Sequence, residues 1–232
     1  MRTLLKAGGL ALLLLSAPTT SHSESLPKVD LALVLAIDVS GSVSSSRWIL
    51  QRDGYVRAFR DPEVVDAITS GPNRRIVVLM IQWSDETDVA LISKTWTIIE
   101  SGASAESFAD LIEKTPRRFS TGFTAIASAI KYCTRLFTDL PFKAGRRIID
   151  ISGDGRNTYP SRSNVEKARD EAIERGITIN GLPIVTESEP DIAHYYEKHV
   201  IGGPRSFFLV ADGYERFGEA VKRKLVLEIA AR

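Results

Sequence analysis

From residue 29 onward, short and nearly unbroken apolar runs alternate with stretches of helical period. Residues 31–37 are all Val, Leu, Ile or Ala. Residues 75–83 contain IVVLMI, residues 145–152 read GRRIIDIS, and residues 177–185 form a fourth run. Strands buried on both faces read this way. After the first run, Trp48, Arg52, Tyr55, Val56 and Phe59 fall at helical spacing, giving one largely apolar face. Asp61-Pro62 ends or kinks that helix, and residues 64–68 add a further turn. After the second run, the polar segment 84–88 predicts a hairpin. Its returning strand covers residues 89–92, or the longer span to residue 99. Helices are predicted over 104–114, with Ser104 as cap, then over 125–137, 163–175, 190–199 and 214–231. A last short strand is predicted over 206–210.

Strands that alternate with helices are parallel, joined by crossovers that cover both faces of the sheet. The pattern therefore predicts a doubly wound α/β domain. It has a mostly parallel six-stranded sheet, helices on both faces and one antiparallel edge strand. No composition shift divides residues 29–232.

The N-terminus stands apart. Arg2 and Lys6 form a basic start, residues 10–17 are apolar, and small and polar residues follow. Residues 1–23 are read as a secretory signal peptide, too short to span a membrane, and residues 24–28 as a short tail. The expected location is periplasmic or secreted. The net charge is +1, which gives no global field for nucleic acid or a membrane surface. The basic pairs Arg74-Arg75, Arg117-Arg118 and Arg146-Arg147 are read as solvated surface. Cys133 is the only cysteine, so no internal disulfide forms. Its helical stripe with Ile126, Ile130 and Phe137 makes it a core residue.

The candidate chemistry lies where apolar runs end. Asp38, Ser40 and Ser42 follow the first run on alternate positions. Alternate residues can point one way, and three hard oxygens suit a hard divalent cation. The competing reading is a strand end with Ser42 or Ser44 capping the next helix. Asp154 follows the third long run, between Gly153 and Gly155. Residues 121–124 (TGFT) open a helix. Ligands of open α/β sheets bind beyond the strand carboxyl ends, where the strand order reverses. If the runs ending at Asp38 and Asp154 are neighbours there, two carboxylates and three hydroxyls share one crevice.

With those segments in place, the chain resembles a von Willebrand factor type A (VWA) domain with a metal-ion-dependent adhesion site (MIDAS). It is especially similar to exported bacterial VWA proteins of unknown function. The family's Asp-x-Ser-x-Ser is met by Asp38, Ser40 and Ser42, and its Asp before Gly by Asp154. Its Thr is met by Thr124, with Thr121 as the alternative. The resemblance implies the strand order 3-2-1-4-5-6. It also implies that Ser40, Ser42 and Thr124 ligate the ion, while Asp38 and Asp154 act through water. The implied ion is Mg²⁺, or Mn²⁺ or Ca²⁺. The implied partner is a protein presenting an Asp or Glu side chain. Arg156, which follows the third motif, is a candidate rim residue for gripping such a partner, and the competing reading is an ordinary exposed loop arginine.

Two other functions compete with this one. A metal-dependent phosphohydrolase could use Asp38 as nucleophile, but the second acid of such enzymes would stand where Ser40 is, and a hydroxyl is a poor proton donor. His194 and His199 lack metal-ligand spacing. A structural subunit without a working metal site is the third class. The resulting expectation is a protein-binding module and not an enzyme.

Overall fold

The computed structural model describes residues 25–158 and 165–231. The signal peptide expected over residues 1–23 lies outside them. The sheet path is β3-β2-β1-β5-β6, with β4 also paired to β2. Central strand β1 (Lys28–Asp38) runs parallel to β2 (Ile76–Trp83) on one side and to β5 (Lys143–Gly153) on the other. Strand β6 (Thr178–Pro183) extends the sheet in parallel beyond β5. The chain steps outward from β1 in one direction first and then in the other. The reversal therefore lies between β1 and β5, where a doubly wound sheet opens its crevice.

The apolar run of β1 is unbroken because both its faces are covered. Leu31, Leu33, Leu35 and Ile37 belong to one core cluster, while Ala32, Val34 and Ala36 belong to the other. Helices α1 (Ser45–Arg60), α2 (Pro62–Thr69), α3 (Gly102–Lys114) and α7 (Phe217–Ala230) cover the first face. Helices α4 (Ile126–Leu136) and α5 (Val165–Glu174) cover the second, with α6 (Ile192–Tyr195) and its π-helical continuation Tyr196–Val200. Cys133 is fully buried in the second cluster.

Three local expectations change. The hairpin partner of β2 is split into β3 (Val89–Leu91) and β4 (Thr97–Ile99), both antiparallel to β2. The polar Ser93-Lys94-Thr95 between them breaks the ladder. The strand expected over residues 206–210 is reduced to isolated bridges, Gly181 with Phe208 and Ile184 with Ala211. It follows Pro204, which has no N–H to donate, and Arg205, held at φ 59°. The cap of α3 is Ser101, whose side chain accepts from Ser104 N, with Ser104 returning the bond to the Ser101 N–H.

Candidate metal centre

The carboxyl ends of β1, β2 and β5 carry three loops that meet. Asp38 ends β1 opposite Trp83, the last residue of β2. Val39 N donates to Trp83 O at 2.9 Å, so the loop leaves the sheet from a fixed edge. Ser40 N then turns back onto Asp38 Oδ1 at 2.7 Å, an Asx-type turn. Ser44 caps α1, its Oγ accepting from Arg47 N at 3.2 Å. Ser42 is thereby free of capping. The rival reading of these serines holds for Ser44 only.

The second loop is pinned from β2. Ser84 Oγ donates to Thr121 O at 3.0 Å, and Ala125 N donates to Ser84 O at 2.9 Å. Gly41 N donates to Gly122 O at 3.1 Å, which seats the first loop on the second. Gly122 has φ 110°, and a Cβ there would come within 2.6 Å of Ser84 Oγ, so only glycine turns the chain at this point. Thr124 is also held by Thr158, which accepts its N–H at 3.0 Å.

The five predicted residues come together. Ser40 Oγ lies 3.3 Å from both Ser42 Oγ and Thr124 Oγ1. Ser42 Oγ donates to Asp154 Oδ1 at 2.6 Å. Asp38, Ser40, Thr124 and Asp154 are buried, whereas Ser42 is exposed, so the cluster opens on the Ser42 side. Gly153 allows the approach of β5: a Cβ there would meet Asp38 Oδ2 at 2.8 Å and the Tyr196 hydroxyl at 2.9 Å. Thr121, the alternative threonine, is exposed, and its carbonyl is used by Ser84.

The electrostatics are those of a cation site. Asp38 Oδ2 is buried without a hydrogen-bond partner. Burial, and then the Asp154 carboxylate, push the Asp38 carboxyl up to about 7. A buried carboxylate with an orphaned oxygen beside a second carboxylate has its charge unbalanced. Among the described residues no three of His, Cys, Asp and Glu gather around one point. Hydroxyls must therefore complete any shell here, and hard oxygens fit a hard divalent cation. The hydroxyl of Tyr214 is held protonated, chiefly by burial and then by Asp154 and Asp38.

Two arginines that were not singled out from the sequence also belong to the site. Arg47 Nη1 lies 3.3 Å from Asp154 Oδ2. Arg117 Nη2 donates to Val39 O at 2.9 Å and to Ser40 O at 3.0 Å, bracing the first loop from beneath. Arg117 is thus no solvated surface residue. Arg156, two residues beyond Asp154, is engaged by Glu189 at 2.9 Å and lies over the Tyr195 ring. The acidic hairpin tip is also at this end of the sheet. Asp88 Oδ2 is 3.6 Å from where a Gly122 Cβ would stand.

The sequence profile of a family described as a protein of unknown function (DUF1194) matches residues 28–232. No curated protein matches the chain. Solved structures match by fold. Proximal thread matrix protein 1 from the mussel byssus is 14% identical with TM-score 0.60, over 88% of this chain and 49% of that one. Another structure of that protein is described as having a zinc-occupied MIDAS motif. A von Willebrand factor type A protein from Catenulispora acidiphila is 14% identical with TM-score 0.59, over 87% and 43%. The pilus adhesin SpaC from Lactobacillus rhamnosus GG is 13% identical with TM-score 0.62, over 88% and 31%. The chain spans less than half the length of each. At such identities the likeness establishes the fold, which is VWA-like.

Proposed function

The chain belongs to the DUF1194 family of proteins of unknown function, and we propose that it is an exported protein-binding module whose binding depends on a divalent cation. The observation that carries this reading is the convergence of three hydroxyls and two carboxylates, with Asp38 Oδ2 buried and unpartnered. The zinc-occupied MIDAS of the mussel protein and the adhesin SpaC add support at the level of the fold.

In this reading residues 1–23 direct export to the periplasm or beyond, and residues 29–232 form the binding domain. Ser40, Ser42 and Thr124 offer neutral oxygens to the ion, which is Mg²⁺ or a similar hard cation. Asp38 and Asp154 stand behind them and orient the hydroxyls, as Asp154 already does for Ser42. The ion, when bound, supplies an electrophilic position that takes a carboxylate oxygen from an Asp or Glu of a partner protein. Neutral first ligands keep that electrophilicity high. Arg156, with Glu189, forms part of the rim that the partner meets. No chemistry is assigned to Asp38 as a nucleophile: two residues on, where a phosphohydrolase of that type carries its general acid, stands the hydroxyl of Ser40, and Asp154 is already engaged by Ser42 and Arg47.

Thermal unfolding in EDTA, Mg²⁺, Mn²⁺ and Ca²⁺ tests the proposal. A ligand at about 100 times its Kd stabilises by roughly 2.7 kcal/mol. For a domain of this size that raises Tm by about 5–10 °C. Asp38→Ala should abolish the rise. A wild-type protein indifferent to every divalent cation would refute the reading, as would Asp38→Ala responding like wild type.

A further inference from the structure

A divalent-cation site does not by itself account for Arg47. The residue lies in the first turn of α1, which carries no acidic side chain. The positive end of a helix dipole disfavours a cation there. What holds the guanidinium in place is the cluster itself. Nη1 lies 3.3 Å from Asp154 Oδ2 and donates to Ser42 O at 2.8 Å, and the guanidinium sits 5.0 Å from the centre of the Tyr214 ring. Asp154 is thereby used on both oxygens, Oδ1 by Ser42 and Oδ2 by Arg47. The pair is unequal in freedom: the Asp154 side chain is 1% exposed and that of Arg47 38%. Asp154 is fixed, and Arg47 can swing into solvent. With Arg117 facing Asp38, two guanidinium charges stand against two carboxylates. A divalent ion must therefore compete with guanidinium charge already placed against these carboxylates.

We propose that Arg47 is a built-in competitor for the cation, occupying Asp154 and releasing it when the ion is held. This rests on the divalent-cation reading above and adds its regulation. The released guanidinium stays within reach of the site's mouth, where a partner's carboxylate would meet both it and the ion. Metal and acidic partner then bind cooperatively, each raising the affinity for the other by the same factor. The isolated domain binds its cation weakly, and the anionic partner completes the charge balance.

The test is a calorimetric titration of Mn²⁺ alone into the wild type, Arg47→Gln, Arg47→Lys and Asp38→Ala. Arg47→Gln keeps a hydrogen-bonding group beside Asp154 without the charge. It should bind Mn²⁺ roughly tenfold more tightly than wild type, the order expected for removing a like charge about 6 Å from a divalent ion when solvent screens the half-exposed guanidinium nearly as in bulk water, at an effective dielectric constant of about 80. Arg47→Lys should stay close to wild type, because the charge remains. Structural damage lowers metal affinity, so a gain cannot be mistaken for it. Equal or weaker binding by Arg47→Gln, with Asp38→Ala silent, overturns the role of Arg47 and leaves the cation site standing. A gain in Arg47→Lys equal to that in Arg47→Gln overturns the charge competition. Absence of Mn²⁺ binding by both wild type and Arg47→Gln overturns the cation reading and the inference together.

Discussion

Replacing Lys224 by Met should cost the protein a large share of its stability. Lys224, Asp150 and Glu228 are all fully buried. Lys224 Nζ lies 2.6 Å from Asp150 Oδ1 and 2.5 Å from Glu228 Oε1, tying α7 to the middle of β5. Asn180 Nδ2 adds a bond to Glu228 Oε1 at 2.8 Å. The contact with Asp150 is off the hydrogen-bond direction, so Glu228 is the partner that holds the ammonium by a hydrogen bond. Burial, and then Glu228, raise the Asp150 carboxyl above its ordinary value. The cluster is therefore close to neutral when Asp150 keeps its proton and Lys224 balances Glu228. Removing the ammonium strands Glu228 with one amide. Breaking a buried pair from one side costs about 3–5 kcal/mol, against a total of about 5–15 kcal/mol for a domain. For a domain of this size the fall in Tm is roughly 6–20 °C. Urea unfolding in EDTA, followed by circular dichroism at pH 5 and pH 8, measures it. The loss should be smaller at pH 5, where protonating the stranded carboxyls costs less. A loss below about 1 kcal/mol at pH 8 would refute the reasoning, since it lies far under the buried-pair range. So would an equal loss at both pH values.

Further outcomes follow from the same geometry. A carboxyl raised in the folded state binds more protons there than in the unfolded chain, so stability falls as pH rises through the interval between the two values. In EDTA the wild type should lose stability from about pH 4 to pH 7, the interval between the ordinary value of Asp38 and the one it reaches here. Asp150→Asn should flatten part of that slope in denaturant titrations, and an unchanged slope would count against the buried Asp150. Thr124→Val should weaken Mn²⁺ binding at least tenfold while Thr121→Val leaves it unchanged, because only Thr124 stands beside Ser40. Calorimetry giving the reverse order would reassign the ligand. Gly153→Ala should destabilise the domain by roughly 1–3 kcal/mol through overpacking against Asp38 and Tyr196, and a neutral result in urea would show that β5 can yield there. Cys133 is buried, and burial holds its thiol far above the ordinary range. It should resist thiol reagents in the native state and react fully in urea, and rapid native labelling would contradict the core assignment.

The fold was legible where burial leaves a periodic trace. The first run reads as a doubly buried strand because Leu31, Leu33, Leu35 and Ile37 face one cluster while Ala32, Val34 and Ala36 face the other. Asp38, Ser40 and Ser42 were legible for a different reason: they are adjacent in the chain and end such a run. Asp154 was legible in the same way, as the end of another run, whereas Thr124 was preferred to Thr121 only through the family resemblance, since nothing local ties residue 124 to residue 40. The roles of the two arginines left no trace. Arg117 crosses from a surface-looking basic pair to the carbonyl groups of Val39 and Ser40. Long flexible side chains report neither period nor partner. One signal for the Lys224 cluster was present: Asp150 interrupts the apolar run of β5 at a core position, and a carboxylate there requires a buried cation from elsewhere. The expected last strand failed because Pro204 and Arg205 break its entry, leaving bridges where a ladder was expected.

Two buried acidic clusters thus lie along the same sheet, and their difference separates structure from function. At Asp150 the balancing cation comes from the chain, is fully buried and is held by Glu228 on the same helix. Nothing from outside reaches it, and its energy goes into fixing α7 on β5. At Asp38 the chain supplies less than it buries. Among the described residues no ion pair reaches the Asp38 carboxylate, and Arg47 serves the other carboxylate from a half-open position. The cluster reaches the surface through Ser42, at the end of the sheet where the strand order reverses. An unbalanced charge that is deep inside is a folding liability, whereas one that opens on solvent at a switch point is a binding site awaiting its counter-ion. On the proposed reading the first cluster has no use for a ligand, whereas the second is completed by one.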